Sequence, residues 1–206
     1  MDLSHPLFGE HVSRETQERI STYVETLLKW NKKINLIGRA TADQVWQRHI
    51  IDSAQLNRFA PESQNWIDIG SGAGLPALIV AALRIDIQPK FQMTVVESDQ
   101  RKCAFMAEAS RKMGISVRIL NKRIETVKHD EFDTISARAL APLDKLLGYA
   151  APLRAPGAVC LFPKGANVDQ ELTDARKHWH MTVKLHPSVT DDASVILEIR
   201  AFERVA

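Results

Sequence analysis

From Trp66 the chain passes through a short apolar run suited to a buried strand, breaks into a glycine loop, and resumes as an apolar stretch: Trp66-Ile67-Asp68-Ile69-Gly70-Ser71-Gly72-Ala73-Gly74-Leu75-Pro76. Glycines let a backbone turn sharply and lie close to a ligand, and a helix starting just beyond offers unpaired N–H groups. Strand, loop and helix in that order open an α/β sheet whose ligand sits past the carboxyl ends of its strands. The spacing narrows the choice. A dinucleotide loop, G-x-G-x-x-G, would carry its third glycine where this chain has Leu75. Here the pattern is G-x-G-x-G, with an acid, Asp68, two residues upstream.

The rest of the chain continues the alternation. Strand-like runs at 66–69, 93–96, 117–120, 132–137 and 159–162 alternate with helical stretches at 75–84, 100–113, 142–153 and 168–178, and a short turn or helix follows 120. Alternation of this kind predicts a mostly parallel sheet with helices on both faces. Two last strands, 181–185 and 194–202, have no helix between them, so they pair as a hairpin and bring in an antiparallel closing strand. The expected fold is therefore α/β, a seven-stranded, mostly parallel, Rossmann-like sheet.

Ahead of the sheet, Ile20, Tyr23, Val24, Leu27 and Leu28 recur at helical spacing behind an N-cap at Ser13 and Glu15 in the first turn. A second helix is expected to start at the capping-box pattern Thr41-Ala42-Asp43-Gln44, with Val45, His49, Ile50, Ser53 and Leu56 along one stripe and Pro61 past its end. The polar linker Pro61-Glu62-Ser63-Gln64 divides an N-terminal helical extension, 1–62, from the sheet domain, 63–206.

Composition removes several function classes. A chain of 206 residues builds one sizeable core without staples. Its best apolar stretch, 75–83, is too short to cross a bilayer and contains Pro76, and Asp2, His5, Glu10 and Arg14 interrupt any signal pattern. Cys103 and Cys160 form no disulfide framework, and neither they nor the histidines show metal-ligand spacing, so no metal and a reducing cytoplasm are expected. Net charge is only +2. The local pairs Lys32-Lys33, Arg101-Lys102, Arg111-Lys112 and Lys122-Arg123 read either as solvated helix ends and loops or as parts of one basic face.

The glycine loop and its upstream acid resemble the first motif of Rossmann-like, class I methyltransferases. That resemblance implies that S-adenosylmethionine is the cofactor and that Asp68, Gly70, Gly72, Gly74 and Leu75 surround its methionine part. Glu97 ends the next strand about twenty residues on, where this architecture carries an acid for the ribose hydroxyls; Asp99 competes for that place. Further pieces are more restrictive: Trp30-Asn31-Lys32-Lys33-Ile34-Asn35-Leu36, Arg48-His49-Ile50-Ile51-Asp52-Ser53, Glu97-Ser98 with Lys102, Phe132-Asp133-Thr134-Ile135-Ser136-Ala137-Arg138-Ala139 and Lys164-Gly165. In this order they resemble the ribosomal RNA small subunit methyltransferase G family, also called glucose-inhibited division protein B. The resemblance implies methyl transfer to N7 of a guanine in 16S rRNA, with the small ribosomal subunit or its RNA as partner. It also implies cofactor contacts from Gly70, Leu75, Ile124, Glu125 and Arg138, with Arg138 beside the reaction centre.

On the substrate side the candidates are Arg138, Lys164, Arg48 and His49. Each has a plainer alternative: an ion pair of Arg138 with Asp133, a solvated lysine, or a packing histidine. Trp30 reads more simply as a packing anchor than as a base-stacking platform. Guanine N7 carries a lone pair and no proton, so no general base is required. Consistently, Arg138-Ala139-Leu140-Ala141-Pro142 stands where amino-methylating enzymes often carry Asn-Pro-Pro-Tyr, and neither cysteine suits a nucleophile. No acid–base catalyst is assigned; Asp68 or Glu125 is placed to favour a cationic product. Three other readings remain: a methyltransferase for a small molecule or protein, a non-catalytic regulator binding S-adenosylmethionine or RNA, and a nicotinamide oxidoreductase. Leu75 and the closing hairpin argue against the last. A monomer is expected.

Overall fold

The computed structural model describes residues 12–127 and 131–205, so residues 1–11 of the expected extension, and residue 206, lie outside the described range. The first helix, α1 (Arg14–Asn31), starts where the sequence predicts: the Ser13 hydroxyl accepts from the Thr16 N–H at 3.1 Å. Ile20, Tyr23 and Leu27 on its inner face are fully buried, a gain of about 1.5–3 kcal/mol for each large apolar side chain. Trp30 is the packing anchor: its ring meets Phe105 edge-on at 6.0 Å and its Nε1 donates to Glu108 at 3.1 Å.

The second helix differs from its expected form. Thr41 caps nothing; the short α2 (Arg39–Ala42) starts earlier, behind Gly38. The Thr41 hydroxyl instead donates back to the Gly38 carbonyl at 2.9 Å. Beyond it the chain winds as a π-helical turn, Trp46–Ile51, then a single α turn, α3 (Asp52–Ala54), then a 3-10 turn, Gln55–Phe59. Apolar spacing predicts a helix here but is blind to these changes of pitch, because His49, Ile50, Ser53 and Leu56 are buried as a regular stripe would require.

The sheet then forms from β1 (Asn65–Ile69), β2 (Gln92–Glu97), β3 (Arg118–Asn121), β4 (Phe132–Ser136), β5 (Arg154–Lys164), β6 (Trp179–Pro187) and β7 (Val195–Arg204). Its seven strands lie in the order β3-β2-β1-β4-β5-β7-β6. The first five are parallel, and β7 runs antiparallel to both β5 and β6, which closes the sheet as the missing final helix predicts. Helices α4 (Ala77–Arg84), α5 (Gln100–Met113), α6 (Leu143–Ala150) and α7 (Val168–Ala175) complete the fold. β5 is longer than expected, with Pro156-Gly157 absorbed at a register shift against β4. α7 ends at Ala175, three residues before the expected His178.

Strand alternation divides the interior into two clusters. Trp66, Val95 and Leu161 face α1, α4 and α5; Ile67, Val96, Cys160 and Phe162 face α6 and α7. The extension thus shares a core with one face of the sheet. Arg84 fastens the linker to that face. Only 1% exposed, it donates to the carbonyls of Asn57, Ala60 and Ser63 and lies over the Trp66 and Phe91 rings at 5.1 and 4.9 Å. Strand order reverses between β1 and its neighbours β2 and β4, and in open α/β sheets the crevice at such a point takes the ligand.

Candidate active site

The glycine loop leaves β1 by turning back on β2: the N–H groups of Gly70 and Ser71 both donate to the Val96 carbonyl, at 2.9 and 3.1 Å. Two of its glycines have positive φ and a leucine side chain close to where a Cβ would stand, exposed and movable at Gly70 but buried at Gly74. A methyl on Gly70 (φ +66°) would lie 2.5 Å from Leu140 Cδ1, and one on Gly74 (φ +72°) 2.7 Å from Leu78 Cγ. Gly74 is therefore the close approach of loop to helix, whereas the side of Gly72 where a Cβ would stand is open, with no atom within 3.8 Å: the nearest is the Gly70 carbonyl at 3.9 Å. Tyr23, from α1, donates its hydroxyl to the Ala73 carbonyl at 2.7 Å, so the extension also holds the loop.

Asp68 lies beneath the loop, fully buried, and does not line the cleft. Its carboxylate accepts from the Ser71 hydroxyl and, at 2.6 Å, from Ser136, whose oxygen accepts from Trp66 Nε1 at 2.9 Å. Burial pushes its pKa up to about 7 against the lowering effect of the two serine hydrogen bonds. It reaches the cleft only through Ser71, so direct contact with a cofactor, as expected of it, is not what this arrangement provides.

The cleft itself, about 1400 Å³, opens at the carboxyl ends of the parallel strands. Gly70, Gly72, Leu75, Glu97, Ile124, Glu125, Arg138, Lys164, Arg48 and His49 all line it. Glu97 Oε2 accepts from the Gly72 N–H at 3.0 Å and Oε1 from the Asp99 N–H at 2.8 Å. Of the two competing acids, Glu97 lines the cleft, whereas Asp99 is the N-cap of α5, accepting from the N–H groups of Arg101 and Lys102. Glu125 accepts from the Tyr149 hydroxyl at 3.1 Å, and its own backbone N–H, followed by that hydroxyl, holds its carboxyl below the usual range.

Arg138 does not pair with Asp133, which is occupied by Ser63 and by the N–H groups of Gln64 and Asn65. It pairs with Asp52, Nη1 to Oδ2 at 3.0 Å, and meets the Arg48 carbonyl and His49 Nδ1. Sequence reasoning missed Asp52. The available signal was an acid within an otherwise apolar stretch, Ile50-Ile51-Asp52. It missed Thr190 too, whose hydroxyl donates to Asp52 Oδ1 at 3.2 Å from the far end of the chain, where nothing local announces it.

Lys164 is not presented to a phosphate. Its side chain is 9% exposed and its ammonium donates to Glu171 at 2.6 Å and to the Ala141 carbonyl at 2.8 Å. Glu171 also accepts from the Leu143 N–H at 2.7 Å, so this pair ties down the loop leading into α6. Arg48, paired with Asp191 at 3.2 Å, stays 44% exposed at the rim. Of the basic clusters, Lys102, Lys122 and Arg123 line the same cleft; Arg111 sits at the opposite end of α5, roughly 15 Å away by helical rise. Cys103 and Cys160 are buried in the core. Among the described residues no group of three histidine, cysteine or acidic side chains is placed to hold a metal, and no helix is long and apolar enough to cross a membrane.

The chain is similar to known proteins in sequence and in fold. The GidB family model, described as rRNA small subunit methyltransferase G, matches residues 16–195. The ribosomal RNA small subunit methyltransferase G of Ruegeria sp. (strain TM1040) is 49% identical over 194 residues, covering 94% of this chain and 95% of that protein. That of Methylorubrum extorquens (strain PA1) is 45% identical over 204 residues, covering 98% and 96%. Among solved structures, a SAM dependent methyltransferase from Aquifex aeolicus superposes with a TM-score of 0.59 at 14% identity, covering 76% of this chain and 92% of that one. The O-methyltransferase TomG from Streptomyces achromogenes, solved with SAM, also gives 0.59, at 12% identity, covering 97% and 95%. At such identities the structural likeness speaks for the fold.

Proposed function

Since the chain belongs to the rRNA small subunit methyltransferase G family, we propose that it transfers a methyl group from S-adenosylmethionine to N7 of a guanine in 16S rRNA of the small ribosomal subunit. The observation that carries this reading is one cleft at the switch point of the sheet, lined by the glycine loop, Glu97, Ile124, Glu125 and Arg138 and rimmed by Lys102, Lys122 and Arg123.

The residues present fit the cofactor. The open side of Gly72 leaves room for backbone approach, Glu97 offers two carboxylate oxygens suited to a pair of ribose hydroxyls, and Ile124 with Glu125 flanks the place of the base. Arg138 has five N–H donors, of which three are spent on Asp52, Arg48 and His49; one on Nε and one on Nη2 remain, a pair that matches the two oxygens of the cofactor's carboxylate. Asp68 shapes the loop from below. When bound, S-adenosylmethionine supplies an electrophilic methyl group on a sulfonium.

Because N7 has a free lone pair, the chain's task is alignment and exclusion of water, with no proton to move. Lys164 and Glu171 order the Ala141 to Leu143 segment at the acceptor side. Lys102, Lys122, Arg123 and Arg48 supply positive charge for RNA phosphates. As part of this proposal the enzyme acts as a monomer, and in the cytoplasm, where small ribosomal subunits are found.

The test incubates the protein and labelled S-adenosylmethionine with small subunits, naked 16S rRNA, tRNA and bulk protein, the ribosomal material coming from cells that lack this gene. Labelled 7-methylguanosine at one 16S position is the expected result. Label only in protein or in no RNA, with cofactor binding intact, would reject the RNA assignment.

A further inference from the structure

Arg138 stands just past β4, yet the groups that hold its guanidinium come from the N-terminal extension. Nη1 donates to Asp52 Oδ2 at 3.0 Å and to the Arg48 carbonyl at 3.3 Å, and Nη2 lies 3.2 Å from His49 Nδ1. Asp52 is itself fixed: Oδ1 accepts from Gln55 Nε2 at 2.9 Å and from the Thr190 hydroxyl at 3.2 Å. Gln55 continues to the same β6–β7 connection, donating to Ser188 Oγ at 3.1 Å and accepting from the Val189 N–H at 3.1 Å. The tip of the closing hairpin is thereby joined to the extension directly behind Arg138.

The direction of the bonds at His49 follows from its neighbours. The Thr41 hydroxyl gives its proton to the Gly38 carbonyl, so at 2.9 Å from His49 Nε2 its oxygen accepts, and Nδ1 is left to accept from Arg138. Arg48, His49 and Asp52 reach the cleft together from the π-helical turn Trp46–Ile51 and the residue that follows it, and π turns recur at functional sites. On the other side Ala139, next to Arg138, has φ +53°, a left-handed conformation that a non-glycine residue keeps only when its surroundings impose it.

We propose that Asp52 and His49 are positioning residues for Arg138, aiming its two remaining N–H groups at the cofactor's carboxylate while the Asp52 charge offsets that of the guanidinium in a cleft that must also accept a sulfonium. An arginine without these partners would spread over many rotamers, and its uncompensated charge would oppose a second cation nearby. A neutral His49 is required for Nδ1 to accept, and burial, followed by the Arg138 charge, lowers its pKa to about 4. This inference rests on the assignment of Arg138 to the cofactor carboxylate.

The test measures calorimetric Kd values for two probes, S-adenosylhomocysteine, which has the carboxylate, and 5′-deoxy-5′-methylthioadenosine, which lacks the amino-acid part. The variants are R138A, D52A, D52N, H49A and the double variant D52A/R138A. Expected is a loss of about tenfold for S-adenosylhomocysteine in R138A, D52A and H49A, a smaller loss in D52N, methylthioadenosine within about twofold throughout, and no further loss in the double variant. Equal losses for both probes in D52A and D52N would mean general damage to the cleft and would overturn the positioning role. Unchanged S-adenosylhomocysteine affinity in R138A would reject the carboxylate assignment itself. A loss in R138A alone, with D52A and H49A unaffected, would keep that assignment and overturn this inference.

Discussion

At the scale of single residues, the glycine loop separates two demands that look alike in sequence. Gly72 and Gly74 both have positive φ, but only at Gly74 does a methyl meet packed side chains, Leu78 and Met106. Gly72→Ala should cost about 1–2 kcal/mol, the left-handed penalty alone. Gly74→Ala should add overpacking of about 1–3 kcal/mol. Urea unfolding of the two variants checks the order. Asp68 provides a pH prediction. Its folded pKa, about 7, lies above the unfolded value near 3.8, so the folded state binds the extra proton between them. Stability from this group is therefore full below about 4 and is lost as pH rises through 7. Asp68→Asn removes that dependence, so the variant's stability relative to the parent should improve from pH 5 to pH 8. A difference that is flat or falls with pH would contradict the buried, proton-holding state of Asp68.

At the scale of elements, the extension acts on the site through Tyr23 on the glycine loop and through Asp52, His49 and the Arg48 carbonyl on Arg138. Its α1 buries Ile20, Tyr23, Val24 and Leu27 in the core shared with α4 and α5, so weakening the helix should be felt at the loop. Ser13→Ala deletes the acceptor of the Thr16 N–H and should cost about 1 kcal/mol in urea unfolding. Tyr23→Phe should cost about as much, since it leaves the Ala73 carbonyl without its donor in a buried place, and should in addition weaken cofactor binding, which Ser13→Ala should barely change. Comparing the two by unfolding and by calorimetry separates support of the helix from support of the loop.

For the whole molecule the question is which lysines meet RNA. Lys122 is exposed at the cleft rim, whereas Lys164 is consumed by Glu171 and the Ala141 carbonyl. Lys122→Ala should lower the slope of log affinity for rRNA against log salt by about 0.7–0.9, one phosphate contact. Lys164→Met should leave that slope unchanged and instead reduce stability by about 2–3 kcal/mol, the worth of losing charged hydrogen bonds at a nearly buried site. A slope change at Lys164 would restore the phosphate contact expected from sequence.

Local chemistry alone determined much of this protein. Short apolar runs alternating with helical stretches identify the strands, α4 and α5, and apolar residues at helical spacing identify α1, because a strand covered on both faces is apolar throughout whereas a helix buries one stripe. The lack of a helix before the last strand implies the antiparallel closure, and the placing of Gly74 rather than a glycine at 75 separates the loop from a dinucleotide loop. What spacing cannot carry is pitch, pairing and partnership. The π turn at Trp46–Ile51 buries the same stripe as a regular helix would, so only the folded chain reveals it. Glu97 and Asp99 are equivalent acids in sequence until α5 takes Asp99 as its cap. Arg138 meets Asp52 across 86 residues, and Asp52 meets Thr190 across 138, separations at which no local pattern survives. Tertiary structure decided which charges are spent on one another and which remain for a ligand, because that depends on distances in space that the order of residues does not contain.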